Sequence, residues 1–167
     1  DARVLTTAVA KEIEKNLNKL KGYSPTQAFT DKILQQRSYA NLANTQYTDD
    51  SKVTDHYAII PTGQLTELQS LSPLQNKVFD LIVRRFLSIF YPPAEYQTLK
   101  LVVGIDKESL FTSAKVLKTL GFLEVMGKSL DDADEGDGQE EDTSDENPNN
   151  DKKKDARKML AAAEKLK

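Results

Sequence analysis

The stretch "LSPLQNKVFDLIVRRFLSIFYPP", residues 71–93, constrains the fold of this chain more than any other. Ser72 and Pro73 read as a helix start: the hydroxyl accepts a free backbone N–H, and proline in the first turn gives up an N–H that has no partner there. Leu74, Val78, Leu81, Ile82, Phe86 and Phe90 follow at three- and four-residue spacings, so one face of the helix is apolar and needs cover. Pro92-Pro93 then ends it, because proline neither donates to the helical ladder nor fits within it.

Two further helices precede this one. Val9, Ile13, Leu17 and Leu20 form a stripe with Thr6 or Thr7 as N-cap and Gly22 as the stop, and Lys11, Glu12, Glu14, Lys15 and Lys19 form the solvated side. "YSPTQAFTDKILQQR" supplies Ser24 as a cap, Pro25 at the first helical position, and Ala28, Phe29 and Ile33 as a buried stripe. Ser38 to Lys52 is polar and without a stripe, so it reads as loop or short irregular structure. Beyond Pro93 the period changes. "YQTLKLVVG" and "SLFTSAKVL" read as a β-hairpin turning between Gly104 and Glu108, and "LGFLEVMG" as a turn followed by a third short strand through Leu123 and Val125.

The charge is unevenly placed. Residues 131–146 carry ten acidic side chains and no basic one, whereas residues 1–130 hold 16 Lys and Arg against 13 Asp and Glu, a surplus of three positive charges. The acidic run cannot bury enough apolar surface to offset its ordering entropy, so residues 129–154 are expected to be a disordered linker and 155–167 a terminal helix. The fold class expected is mainly α with a small β element (α+β). The surplus permits a nucleic-acid partner without requiring one. The absence of cysteine fits a reducing compartment, with cytoplasm as the default, and no apolar run is long enough to cross a bilayer.

Most side-chain chemistry is excluded. Without cysteine there is no thiolate nucleophile, no "GxSxG" turn exposes a serine, and the seven glycines are scattered rather than gathered into a phosphate-cradling loop. One histidine beside Asp55 lacks the further ligands of a zinc or iron site, and the acidic run lacks the alternation of a calcium loop. The histidine, His56, lies in "KVTDHYAIIPTG", residues 52–63. Its side chain has two readings. One is a surface or hydrogen-bonded structural imidazole. The other is a group held at the edge of a core between Lys52, Thr54, Asp55 and a buried "AII", with one ring nitrogen facing a phosphate. Arg84 and Arg85 either extend such a phosphate surface or belong to a solvated helix face.

"VTDHYAIIPTG", then "VFDLIVRRFLSIFYPPAEYQTLKLVV" and later "FTSAKVLKTLGFLEV", occur in the order and at the gaps of type IA DNA topoisomerases, and the chain resembles the topoisomerase III branch of that family. The three blocks cover roughly residues 53–127. "DARVLTTAVAKEI" is similar to the stretch directly after the family's Tyr-x-Arg-Thr-Asp motif, with Asp1 as that motif's last residue. The family pattern around the histidine is "HEAIRPT" or "DHHAIIPT"; this chain follows the second and departs from it at Tyr57.

The resemblance implies the following. The parent enzyme cleaves one DNA strand through a 5′-phosphotyrosyl link, passes a strand and religates, relaxing negatively supercoiled DNA without ATP. Tyrosine and the magnesium-holding domain lie upstream, so this fragment holds no metal and is inactive alone. Residues 1–93 correspond to the helical part of the catalytic, strand-cleaving domain and 94–128 to a β segment of the arch domain. His56 assists at the scissile phosphate, and Lys52, Thr54, Asp55, Arg84 and Arg85 contact DNA. The partner is DNA, mainly single-stranded. No membrane, no small-molecule substrate and a monomer are expected, in the cytoplasm and, in a bacterial host, with the nucleoid. The alternative is a non-catalytic DNA-binding helical module using Arg84, Arg85, Lys100 and Lys115.

Overall fold

The computed structural model describes residues 2–66, 68–105 and 108–130. The expected acidic linker, apart from its first two residues, and the expected terminal helix lie outside them. Two units are distinguished: residues up to Pro92 together with Glu124–Gly127, and Pro93–Leu123 with the residues from Lys128 onward. The first is helical and the second is built on one hairpin, so the fold is mainly α with a small β element.

In the helical unit α1 spans Thr7–Leu20. Thr6, in extended conformation, caps it by accepting the Val9 N–H. Ile13, Leu17 and Leu20 are buried as their spacing predicts, Ala10 joins them, and Val9 packs at the margin. Gly22 is not a left-handed stop, since its φ is not positive. Gly22 is instead a close approach: a Cβ there would lie 3.1 Å from Leu65 Cδ1.

α2 spans Gln27–Gln36 and is entered through a 3-10 turn, Ser24–Thr26, so Ser24 lies inside that turn and does not cap α2 with its side chain. Its buried line is Thr26, Thr30 and Ile33, with Phe29 half-buried and Ala28 exposed, a rotation away from the expected stripe. Thr30 is tolerated inside because its hydroxyl donates to the Thr26 carbonyl. Arg37 ends the helix in left-handed conformation at φ 53°. The polar stretch 38–52 consists of turns and short 3-10 segments, and Leu42 plugs it into the core.

α3 spans Pro73–Ser88 and starts with a full capping box: Ser72 Oγ accepts the Gln75 N–H while Gln75 Oε1 accepts the Ser72 N–H. Its apolar face divides. Val83, Phe86 and Leu87 are buried, with Phe79 packed beside them and Phe90 just beyond the helix. Leu74, Val78 and Leu81, expected on the buried stripe, are 71%, 49% and 57% exposed. The line Phe79–Val83 sits one residue on from Val78–Ile82, a rotation of about 100°. Edge-on aromatic pairs, Tyr23 with Phe79 at 5.3 Å and Phe86 with Phe90 at 5.3 Å, fill the space around it.

The second unit holds β1, Glu95–Ile105, and β2, Glu108–Thr119, antiparallel and in continuous register from Tyr96↔Leu117 to Ile105↔Glu108. Leu99 opposes Ala114 and Gln97 opposes Val116 on one face. On the other, the Lys115 ammonium lies 4.2 Å from the Tyr96 ring centroid. The third strand expected through Leu123 and Val125 does not form. Gly121 (φ 52°) and Gly127 (φ 78°) reverse the chain, and the Leu123 carbonyl is taken by the Lys128 N–H. Local turn bonds thus satisfy this backbone, and Val125, fully buried, joins the core of the helical unit.

Candidate functional site

The histidine segment is positioned by backbone pairing with the start of the chain. Residues 2–5, bent at Arg3 and Val4, run between two loops and bridge to Thr48 through Leu5. On one side the Ala2 N–H donates to the His56 carbonyl (3.2 Å) and the Ala58 N–H to the Val4 carbonyl (2.9 Å). On the other, the Leu5 N–H donates to the Tyr47 carbonyl (2.8 Å) and the Asp49 N–H to the Leu5 carbonyl (3.0 Å). Leu5 is buried beneath, so the segment is anchored by packing as well as by hydrogen bonds.

Two contacts fasten the far end of the motif to α1. Asn16 Nδ2 donates to the Pro61 carbonyl (3.0 Å), and Gly63 at φ 76° passes so close to Lys19 that a Cβ would fall 2.3 Å from Lys19 Cβ. Only glycine combines that dihedral with that approach. Of the "AII" expected to be buried, Ala58 and Ile60 are half-buried and Ile59 is 76% exposed, because the segment is extended and alternates.

His56 is exposed in an open cleft of about 350 Å³ lined also by Asn16, Asp55, Tyr57 and Thr62. The side chain therefore faces solvent from a rigidly paired backbone, an arrangement suited to hydrogen bonding or proton transfer with a bound phosphate. Thr54 is exposed beside it. Lys52 is engaged within the chain: its ammonium is 2.7 Å from Asp49 Oδ2. That ammonium, followed by the Ser51 hydroxyl, holds the Asp49 carboxyl down at about 2. Asp50 caps α1 from outside, accepting the Thr7 N–H and hydroxyl at 2.7 Å each, and those bonds lower its pKa.

Arg84 and Arg85, adjacent in sequence, are separated by the helix. Arg84 Nε meets Asp80 Oδ2 at 2.6 Å and its Nη1 donates to the Val125 carbonyl at 2.9 Å, while Asp80 also accepts from Tyr23 Oη. Burial, followed by the hydrogen bond to Asp80 and the charge of its carboxylate, pushes the Tyr23 phenol up to about 12 against the opposing charge of Arg84. Arg85 is exposed and has no ion pair among the described residues. Sequence reasoning singled out neither Arg3 nor Tyr47, which the pairing of residues 2–5 brings to the neighbourhood of Ala58–Ile60. No local pattern signals a pairing between segments so far apart in the chain.

No group of three or more His, Cys, Asp or Glu side chains converges among the described residues. No described helix is long and apolar enough to cross a membrane.

Comparison with known proteins agrees with the sequence blocks. The family described as DNA topoisomerase matches residues 1–163. A protein named DNA topoisomerase 3 from Bacillus cereus is 31% identical over 134 residues, 80% of this chain and 18% of its own length. The protein of the same name from Bacillus subtilis is 30% identical over 142 residues, 85% of this chain and 18% of its own. That from Bacillus licheniformis is 39% identical over 99 residues, 59% of this chain and 13% of its own. The chain thus spans under a fifth of the length of these relatives. With the family matched over nearly its whole length, the chain belongs to the DNA topoisomerases, and its relatives lie on the topoisomerase 3 branch.

Proposed function

We propose that this chain is the part of a type IA DNA topoisomerase that brings His56 to the scissile phosphate. The observation that carries the reading is the Ala2–His56 backbone hydrogen bond, with Ala58–Val4 as its neighbour. The resemblance aligns Asp1 with the last residue of Tyr-x-Arg-Thr-Asp. A tyrosine four positions before Asp1 is then within about 17 Å of Ala2 at full extension, and nearer in any folded form. Pairing residues 2–4 with 56–58 therefore holds the histidine next to the segment that leads from the nucleophile.

The chemistry is an exchange of phosphoesters. The tyrosine oxygen attacks the phosphorus, the phenolic proton leaves with a base, a 5′-phosphotyrosyl ester forms, and the broken bond frees a 3′-hydroxyl that takes up a proton. Resealing reverses each transfer, and no ATP is needed because one phosphoester replaces another. His56 serves by donating a hydrogen bond to a non-bridging oxygen or a proton to the departing 3′ oxygen. Magnesium belongs to the parent enzyme in this reading. The substrate is DNA, with the cut strand single at the site. The 167 residues alone are predicted not to relax plasmid.

The test is relaxation of negatively supercoiled plasmid, with magnesium and without ATP, by the protein extended through the tyrosine motif. His56→Ala is expected to slow relaxation about ten-fold or more, equivalent to about 1.4 kcal/mol of barrier. His56→Gln, which keeps a donor, recovers part of the loss. Equal rates for wild type and His56→Ala would overturn the role of the histidine.

A further inference from the structure

A second open cleft, of about 360 Å³, lies in the helical unit and is also lined by Ala58–Ile60. Its floor is apolar, from Leu5, Ile60, Ile82 and Phe86, and Tyr47 supplies a second ring to its lining. Ile59, 76% exposed, and Leu81, 57% exposed, also line it. Among the described residues, Arg3 and Arg85 are its only charged lining residues, both are exposed, neither has an ion pair, and no acidic side chain lines the cleft.

Such a site asks for a ligand with a flat apolar body and an anionic group beside it. An inorganic anion leaves the floor uncovered, and a purely apolar segment leaves two guanidinium groups without a counter-charge. An unpaired nucleotide satisfies both: the base covers the apolar floor and the flanking phosphates meet the guanidinium groups, whose planar forks suit phosphate oxygens. The volume is within the usual range of small-ligand pockets. A base held in a duplex does not present its face, so the cleft selects single strands.

We propose that this cleft is a nucleotide subsite for the single-stranded segment of the DNA substrate, with Arg3 and Arg85 on phosphates and the base over Ile82 beside Tyr47. The proposal rests on the topoisomerase reading for its partner. Ala58–Ile60 line both this cleft and that of His56, so one strand crosses the histidine and continues into the subsite. Arg84, turned inward to Asp80 and Val125, takes no part.

The experiment uses the 167-residue chain and a short thymidine oligonucleotide bearing iodouracil, with binding followed by fluorescence anisotropy at low salt and irradiation followed by peptide mapping. The cross-link is expected at Tyr47. Arg3→Glu and Arg85→Glu are each expected to weaken binding about ten-fold, with Arg85→Lys intermediate. An oligomer with abasic sugars is expected to bind at least about five-fold more weakly, the lower end of what one stacked base contributes. Arg3 and Arg85 are exposed, so the variants fold, which thermal melting of each verifies. Equal binding of the abasic oligomer, a cross-link confined to other residues, or indifference to both charge reversals would overturn the subsite and leave the cleft to a peptide. No binding of any oligonucleotide would overturn the subsite together with the proposed role of this chain in contacting DNA, and would leave its family membership standing. The Tyr47 cross-link reads binding alone, so it stands even where His56 proves structural.

Discussion

α1 and α3 look alike as sequence and are used differently. Each has apolar residues at three- and four-residue spacing, and a threonine or serine to cap it. In α1 one stripe covers one core: Ile13, Leu17 and Leu20 are at most 1% exposed. In α3 the apolar surface is wider than one core covers, and it divides into a buried line through Val83 and Leu87 and an exposed one through Leu74, Val78 and Leu81. Amphipathic spacing tells how a helix is rolled to within one residue; it does not tell how many neighbours it has. The uncovered line reaches the cleft of Arg85 and Ile59 at one end, through Leu81.

The starts of the two helices differ in the same way. α3 is capped from within, by the neutral Ser72–Gln75 box. α1 is capped by Thr6 and also from a distant loop, by the Asp50 carboxylate on Thr7. One start is independent of tertiary structure and of pH, and the other depends on both.

Truncation breaks the comparison most sharply. Leu17→Ala or Leu87→Ala removes a side chain with no exposure, and unfolding in denaturant followed by circular dichroism should show a loss of about 2–5 kcal/mol. Leu74→Ala or Leu81→Ala on the exposed line should stay within about 0.5 kcal/mol. Equal costs on the two lines would mean that α3 has a single buried face after all.

Arg84→Ala is expected to cost about 1–3 kcal/mol in the same measurement, because Asp80 loses its guanidinium partner and the Val125 carbonyl its donor. Its neighbour Arg85→Ala should leave stability unchanged. A reversal of that order would place Arg84, not Arg85, on the working surface.

The smallest effect is that of acid. Asp49 and Asp50 titrate below the ordinary carboxylate value of 3.8, Asp49 at about 2, so the folded state favours their charged forms. Their contribution is complete above about 4 and is lost as pH falls toward about 2. The double variant Asp49→Asn, Asp50→Asn should therefore flatten the fall in melting temperature over that window, and Ser72→Ala should not change its slope. An unaltered acid limb in the double variant would refute the loop's hold on α1.

Much was legible in order and little in orientation. The three helices, the hairpin and the Ser72 cap follow from spacing and from residues that act on their own neighbours, where a hydroxyl or a proline has its effect within one turn. The errors came in orientation, where details that spacing does not carry decided which side chains face inward. Ala28 faces out because Thr30 can satisfy its hydroxyl on the Thr26 carbonyl and so occupy the inner line. Val125 leaves the hairpin because two left-handed glycines turn the chain back into the helical core. Ile59 points outward because residues 56–60 are extended and only alternate side chains can face in.

By itself the sequence determined the family and the mixed fold class, and singled out His56 as the candidate, since motif order and local propensity are carried by residues close in the chain. The tertiary structure decided which surface of α3 is free, which of two adjacent arginines is available, and that residues 2–5 lie against His56. Those outcomes depend on hydrogen bonds and packing between segments some fifty residues apart, and the free energy of such contacts has no signature in the local spacing of either segment.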